Sequence, residues 1–177
     1  MSYNLNSPIS RRRLLGLLAA WPLASLANTL PESPITGLRR WGSGELRRFG
    51  FLIYEATLWA GDDPTRPPLA LQLTYQRHIQ GQALVEASVA EMRKLGVTEK
   101  AQLERWSMAL ARIFPNVRPG DHLFGLYLPE GAHFHQGGRW LGSIQEPAFA
   151  RAFFGIWLDE RTSAPELRAA LLQNPAR

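Results

Sequence analysis

The feature that most constrains the fold is a change of hydrophobic period. From Leu69 the chain reads LALQLTYQR, with Leu69, Leu71, Leu73 and Tyr75 on one side and Gln72, Thr74 and Gln76 on the other. That alternation is a strand with one buried face. Around Gln80 the period becomes helical: Leu84, Ser88, Met92 and Leu95 form a stripe, and Gly96 ends it. Thr98 is placed to cap a second helix with Leu103, Trp106, Leu110 and Ile113 on one face, and Pro115 closes it. The strand period then returns in DHLFGLYLPEGAHFHQGGRWLGSI, which predicts a three-strand meander with Gly137-Gly138 at a hairpin turn. Runs of strands and runs of helices, not strict alternation, predict an α+β fold.

Upstream, RRFGFLIYEATLWAG is apolar on both alternating sets. Phe49, Phe51, Ile53 and Trp59 share one side, and Leu52, Tyr54, Ala56 and Leu58 the other. This predicts one long strand covered in part on both faces, with the GSG at 42–44 leading into it. DDPTRPP is a turn, where Asp62 and Asp63 are expected to hydrogen-bond locally. Downstream, Pro147 opens a helix through AFARAFFGIWL, and Phe149, Phe153, Ile156 and Trp157 fall on one face of it. Phe154 and Trp157 are placed to border any cleft beneath. Ser163-Ala164-Pro165-Glu166 has the spacing of a capping box for a last helix.

The N-terminus reads as an address. Arg11, Arg12 and Arg13 precede an apolar run from Leu14 to Leu26, and Ser25 and Ala27 stand at a cleavage spacing. SRRRLL also has the look of a twin-arginine signal. The expected organisation is a signal over 1–27, a leader over 28–36 and a folded domain over 37–173. Cleavage after Ala27 would leave a periplasmic product with no stable membrane span. The apolar run, interrupted by Pro22, is short for a bilayer. The three signal arginines leave 17 of the 20 basic side chains beyond residue 27, against 15 acidic ones. The formal charge of +5 is therefore mostly an N-terminal property, which argues against nucleic acid as a partner. The chain has no cysteine, so thiol catalysis, disulfides and cysteine zinc sites are excluded.

No nucleophile elbow, phosphate loop or dinucleotide fingerprint is present. His133 and His135 share a strand face at a metal-binding spacing, but no third ligand has an obvious place, and no metal or other cofactor is expected. Arg47 and Arg48 are consecutive strand residues, so one of them faces inward. An inward guanidinium needs an anion or a polar partner, and a ligand carboxylate can supply it.

Four segments together resemble the bacterial chalcone isomerase-like proteins: GFLIYEATLW, LTYQRHIQGQALVEASVAEMRKLG, GDHLFGLYLPEGAHFHQGGRWLGSI and PAFARAFFGIWLDERTSAPELRAALL. The resemblance covers nearly all of residues 36–173. It implies an open-faced β-sandwich: a large, mainly antiparallel sheet with helices packed on one face. The superfamily holds isomerases that cyclise chalcones, fatty-acid binders and accessory proteins. The resemblance implies that catalytic members place an arginine on the first long strand. After a Gly-Gln pair they add a tyrosine, a lysine and an asparagine, all aimed at a developing enolate. Here Gly81-Gln82 is followed by Leu84, Ala87 and Glu91 at those positions. Leucine and alanine donate nothing, and glutamate has the wrong sign for an enolate. Fatty-acid-binding members hold a carboxylate with an arginine and a tyrosine, a role open here to Arg47 or Arg48 with Tyr54 and Tyr75. Ser163 falls near a pocket hydroxyl of the catalytic members.

Three functions remain in view. The first is non-catalytic binding of a small apolar or carboxylate ligand, such as a fatty acid, by Arg47, Arg48, Tyr54, Tyr75 and Ser163. The second is isomerase activity (intramolecular lyase) on a chalcone-like conjugated carbonyl. The third is a ligand-free accessory protein using Trp41, Trp59 or Trp140 as contacts. The residues leave open whether the chain is an enzyme.

Overall fold

A computed structural model describes residues 37–173. The expected signal and leader, over 1–27 and 28–36, lie outside the described residues. Six strands form one antiparallel sheet in the order β1-β2-β3-β4-β5-β6. They are β1 (Arg39–Arg48), β2 (Phe51–Ala60), β3 (Leu69–Tyr75), β4 (His122–Leu128), β5 (Gly131–Gln136) and β6 (Arg139–Ile144). Helices α1 (Gly81–Lys94) and α2 (Lys100–Ile113) are inserted between β3 and β4. Helices α3 (Pro147–Leu158) and α4 (Pro165–Leu171) follow β6. The α+β reading and the three-strand meander agree with this order.

One expectation fails at the N-terminal end. RRFGFLIYEATLWAG is not one long strand. It turns at Phe49-Gly50, and GSG lies inside the strand that precedes the turn. Phe49 and Gly50 both take positive φ, 51° and 80°. That pair of dihedrals makes the tight hairpin turn whose twist suits antiparallel strands. Gly42 and Gly44 serve packing. A Cβ at Gly42 would strike the backbone oxygens of Ala170 and Leu171, and one at Gly44 would lie 2.7 Å from the Ala170 Cβ. Glycine here lets α4 lie directly on β1.

The core lies on the helix-covered face. Ala56, Leu58 and Ala60 of β2 and Leu69, Leu71, Leu73 and Tyr75 of β3 are all buried there. Gln72 and Thr74 instead approach His122 on the other face. Helix α3 runs across β4 and β5, with Phe149, Phe153, Phe154 and Trp157 buried. Each such aromatic contributes roughly 1.5–3 kcal/mol by leaving water. Phe149, Phe153 and Phe134 also interlock, Phe153 lying 5.5 Å from Phe149 and 5.2 Å from Phe134 between centroids. The described residues lie within one compact unit. The buried hydrophobic cluster runs from Trp41 to Leu171, inside that unit.

Smaller corrections concern caps and surface tryptophans. Glu99, not Thr98, caps α2, its carboxylate accepting from the amides of Ala101 and Gln102. Trp41, read as a possible contact residue, is buried and donates to the Gly61 carbonyl at 2.9 Å. Trp59 is half-buried, and Trp140 is 50% exposed. Asp63 does bond locally, accepting from the amide and hydroxyl of Thr65.

Candidate functional site

Between the sheet and α1, α3 and the α3–α4 turn lies a cavity of about 290 Å³. This is near the lower end of the ~300–1,000 Å³ typical of small-molecule sites. Its walls are mostly apolar: Leu71 and Leu73 from β3, Leu84 and Ala87 from α1, and Phe153 and Trp157 from α3 are among them. Gly125 on β4 keeps the floor low, since a Cβ there would meet the Phe154 ring at 3.3 Å.

The polar groups gather at one end. Arg48, Tyr54, Tyr75, Glu91 and Ser163 all border the cavity. Local backbone irregularity brings the first two there. The β1–β2 register slips between the Leu46–Tyr54 and Arg47–Leu52 pairs, leaving Ile53 without a partner on β1. Such a bulge bends its strand and re-aims side chains. Ile53 and Tyr54, neighbours in sequence, both reach the cavity. Tyr75 stands directly opposite Tyr54 on β3, with ring centroids 5.8 Å apart.

Of the residues proposed for a ligand, the structure brings Arg48, Tyr54, Tyr75 and Ser163 together at this cavity. Arg47 is the exception. It points away and pairs with Glu45 at 2.7 Å, because alternate strand residues face opposite sides. Arg48 has no carboxylate within 4 Å among the described residues.

Ser163 also departs from expectation. It does not cap α4, whose N-cap is Ala164 without a side-chain bond. Its hydroxyl instead donates to Glu91 Oε2 at 2.6 Å. Buried Thr162 holds the turn in place, donating to the Ile156 carbonyl at 2.5 Å and accepting from the Ala164 amide at 3.2 Å. The spacing Ser-x-x-Glu points to a local cap, whereas the partner that wins lies on α1.

The phenols are donors. Burial pushes the Tyr54 hydroxyl up to about 12, against smaller downward pulls from the Trp157 hydrogen bond and the Arg48 charge. By surface area Tyr54 is only half-buried, since it borders the void, yet protein surrounds it. Burial, then the neighbouring Tyr54, raises Tyr75 further. Both keep their protons at working pH. Trp157 Nε1 donates to the Tyr54 oxygen at 2.9 Å, which leaves the Tyr54 O–H to donate elsewhere.

Glu91 is the acid of the site. Burial alone would raise its pKa, but hydrogen bonds from Lys94 and Ser163 and the charges of Lys94 and Arg48 together hold it below 4.5, its ordinary value. A carboxylate lowered by folding stabilises the folded state above its unfolded value and loses that contribution as pH falls through its folded value. We therefore expect the thermal midpoint to drop below pH 4.5, and Glu91→Gln to reduce that acid-dependent loss. An identical pH profile in the variant would refute a linkage through this residue.

Some cavity residues had no sequence signal. Ile79, Phe114, Phe124 and Gly125 reach it from loops and from β4. The Trp157–Tyr54 bond joins residues 103 positions apart. The two histidines lie outside the cavity, His133 and His135 each packing edge-on against Trp140 at 5.2 and 5.1 Å. Among the described residues no group of three or more potential ligands is placed for a metal. No described helix is long and apolar enough to cross a membrane.

A family model described as chalcone isomerase-like matches residues 54–173. An uncharacterized protein of Haemophilus influenzae is 27% identical over 105 residues, 59% of this chain and 52% of that protein. The chain thus spans about half the length of this curated relative. The crystal structure of a fatty-acid binding protein from Arabidopsis thaliana superposes with a TM-score of 0.59 at 12% identity, covering 77% of this chain and 87% of that one. At that identity the likeness is one of fold.

Proposed function

Because the chain belongs to the chalcone isomerase-like family, we propose that its domain binds one small apolar molecule with an anionic head, such as a fatty acid, and performs no chemistry on it. The carrying observation is the cavity itself. It has an apolar body, and one end bears an arginine without an ion-pair partner among the described residues and two protonated phenols. A carboxylate there would meet a guanidinium and two hydroxyls, the charge-assisted bonds that fix such a group. Leu84 and Ala87 line the same cavity and offer no donor to an enolate, and Glu91 beside them is anionic. The fold of the plant fatty-acid binding protein supports the same reading.

Glu91 tempers the affinity. Its oxygens are engaged by Ser163 and Lys94, so a ligand carboxylate belongs on the Arg48 side. Glu91→Gln removes a like charge and is expected to tighten carboxylate binding several-fold in a calorimetric titration; weaker binding would contradict this placement. In this proposal residues 1–27 export the protein to the periplasm and are then removed. The direct experiment is denaturing extraction of the mature protein from that compartment, followed by mass spectrometry. An apolar acid near one equivalent supports the proposal. An empty cavity that also takes up no added fatty acid refutes it.

A further inference from the structure

The β1–β2 turn contains a residue that its own fold does not explain. Phe49 adopts a φ of 51°, a region that non-glycine residues other than asparagine and aspartate rarely occupy. It is also 98% exposed. A large aromatic in a strained turn, touching almost nothing, gains no packing in return. Phe51, two residues on, is 57% exposed. The Arg77 guanidinium lies 4.7 Å from the Phe51 ring centroid. Arg48 is the direct cross-strand partner of Phe51, and Arg47 precedes it. Two acids stand further along the hairpin, Glu45, paired with Arg47, and Glu55 directly opposite it on β2. Two exposed aromatics among three arginines therefore stand at one tip.

That tip is also the end of the cavity. Leu46, Arg48 and Ile53 belong to the hairpin and line the void at once. We infer that the β1–β2 tip is a docking element for an anionic lipid surface, with Phe49 and Phe51 entering the headgroup boundary and Arg47, Arg48 and Arg77 meeting lipid phosphates. Aromatic rings favour that boundary, and arginine pairs well with phosphate. Two side chains are too few for a stable protein interface, which buries about 1,200–2,000 Å². They suit weak, reversible attachment to a bilayer. The docking itself stands on the hairpin and the adjoining Arg77. Its purpose, uptake of an apolar ligand from the bilayer into the adjoining cavity, rests on the function proposed above.

The test uses residues 28–177, which contain the whole described core and lack the apolar N-terminal run that would bind vesicles by itself. Co-sedimentation is measured with vesicles of phosphatidylcholine alone and with added phosphatidylglycerol. Partitioning is expected onto the anionic vesicles, weakening as salt rises. Phe49→Asn keeps a residue suited to the turn and is expected to reduce partitioning by about tenfold. Fatty-acid affinity in vesicle-free solution should be unchanged, since Phe49 does not line the cavity. No partitioning by the parent protein, or equal partitioning by parent and variant, would overturn the inference. Self-association that Phe49→Asn abolishes, without vesicle binding, would assign the tip to a second copy and overturn it too. If fatty acid fails to bind while vesicle attachment depends on Phe49, the docking stands and the cavity reading falls.

Discussion

Arg48→Ala is expected to weaken fatty-acid binding by roughly ten- to a hundred-fold. Removal of one charge-assisted hydrogen bond to a carboxylate has about that effect. Arg47→Ala should stay within about twofold of the parent, because Arg47 faces away and is already paired with Glu45. The two residues are adjacent and chemically identical, so the comparison isolates position from charge. Isothermal titration with one long-chain acid reads both. Equal losses in the two variants would mean that only net charge matters, and no loss in Arg48→Ala would remove the arginine from the site. Circular dichroism should show both variants folded, since both arginines are exposed, Arg48 at the rim of the void.

Gly42→Val is expected to be the most damaging single change in the sheet. The new Cβ would collide with two backbone oxygens of α4, those of Ala170 and Leu171, and neither can rotate away. Either α4 lifts from β1 or the strand bends. Overpacking of this kind typically removes up to about 3 kcal/mol, corresponding to a fall of roughly 10 °C in the melting point of a domain this size. Gly61→Ala is the matched control, because a Cβ there meets nothing within 4 Å. The consequence reaches the site, since the turn holding Ser163 and Ala164 leads straight into α4. A Gly42→Val protein with an unchanged melting point would show that α4 is loosely attached.

Both predictions depend on features of unequal legibility. Strand β3 could be read directly, because Leu69, Leu71, Leu73 and Tyr75 alternate with polar residues and are buried. The hairpin before it could not. Its turn is Phe-Gly, not the Asn-Gly or Asp-Gly that marks such turns. Phe49 and Phe51 then completed an apolar alternation that looked like buried strand, whereas they sit at an exposed tip. The role of GSG was hidden for a related reason. Its glycines answer to α4, more than a hundred residues away. In the site, local pattern showed that Arg47 and Arg48 must face opposite ways, but not which faces inward. That choice is set by pairing with β2 and by the bulge at Ile53. Ser163 illustrates the same limit, with a local capping pattern overridden by a carboxylate 72 positions earlier.

The void beneath α1 also bears on how such a protein can diversify. Most interior side chains are constrained by their neighbours, so a change in one forces repacking in others. Leu84 and Ala87 border empty space instead. There a side chain can change size, polarity or charge without displacing another. They are carried on an insertion between β3 and β4, so the sheet's hairpin pairings do not depend on them. One scaffold can therefore exchange a binding wall for a reactive one by substitutions to which its stability is nearly indifferent. Selection on ligand and selection on folding act here on largely separate residues.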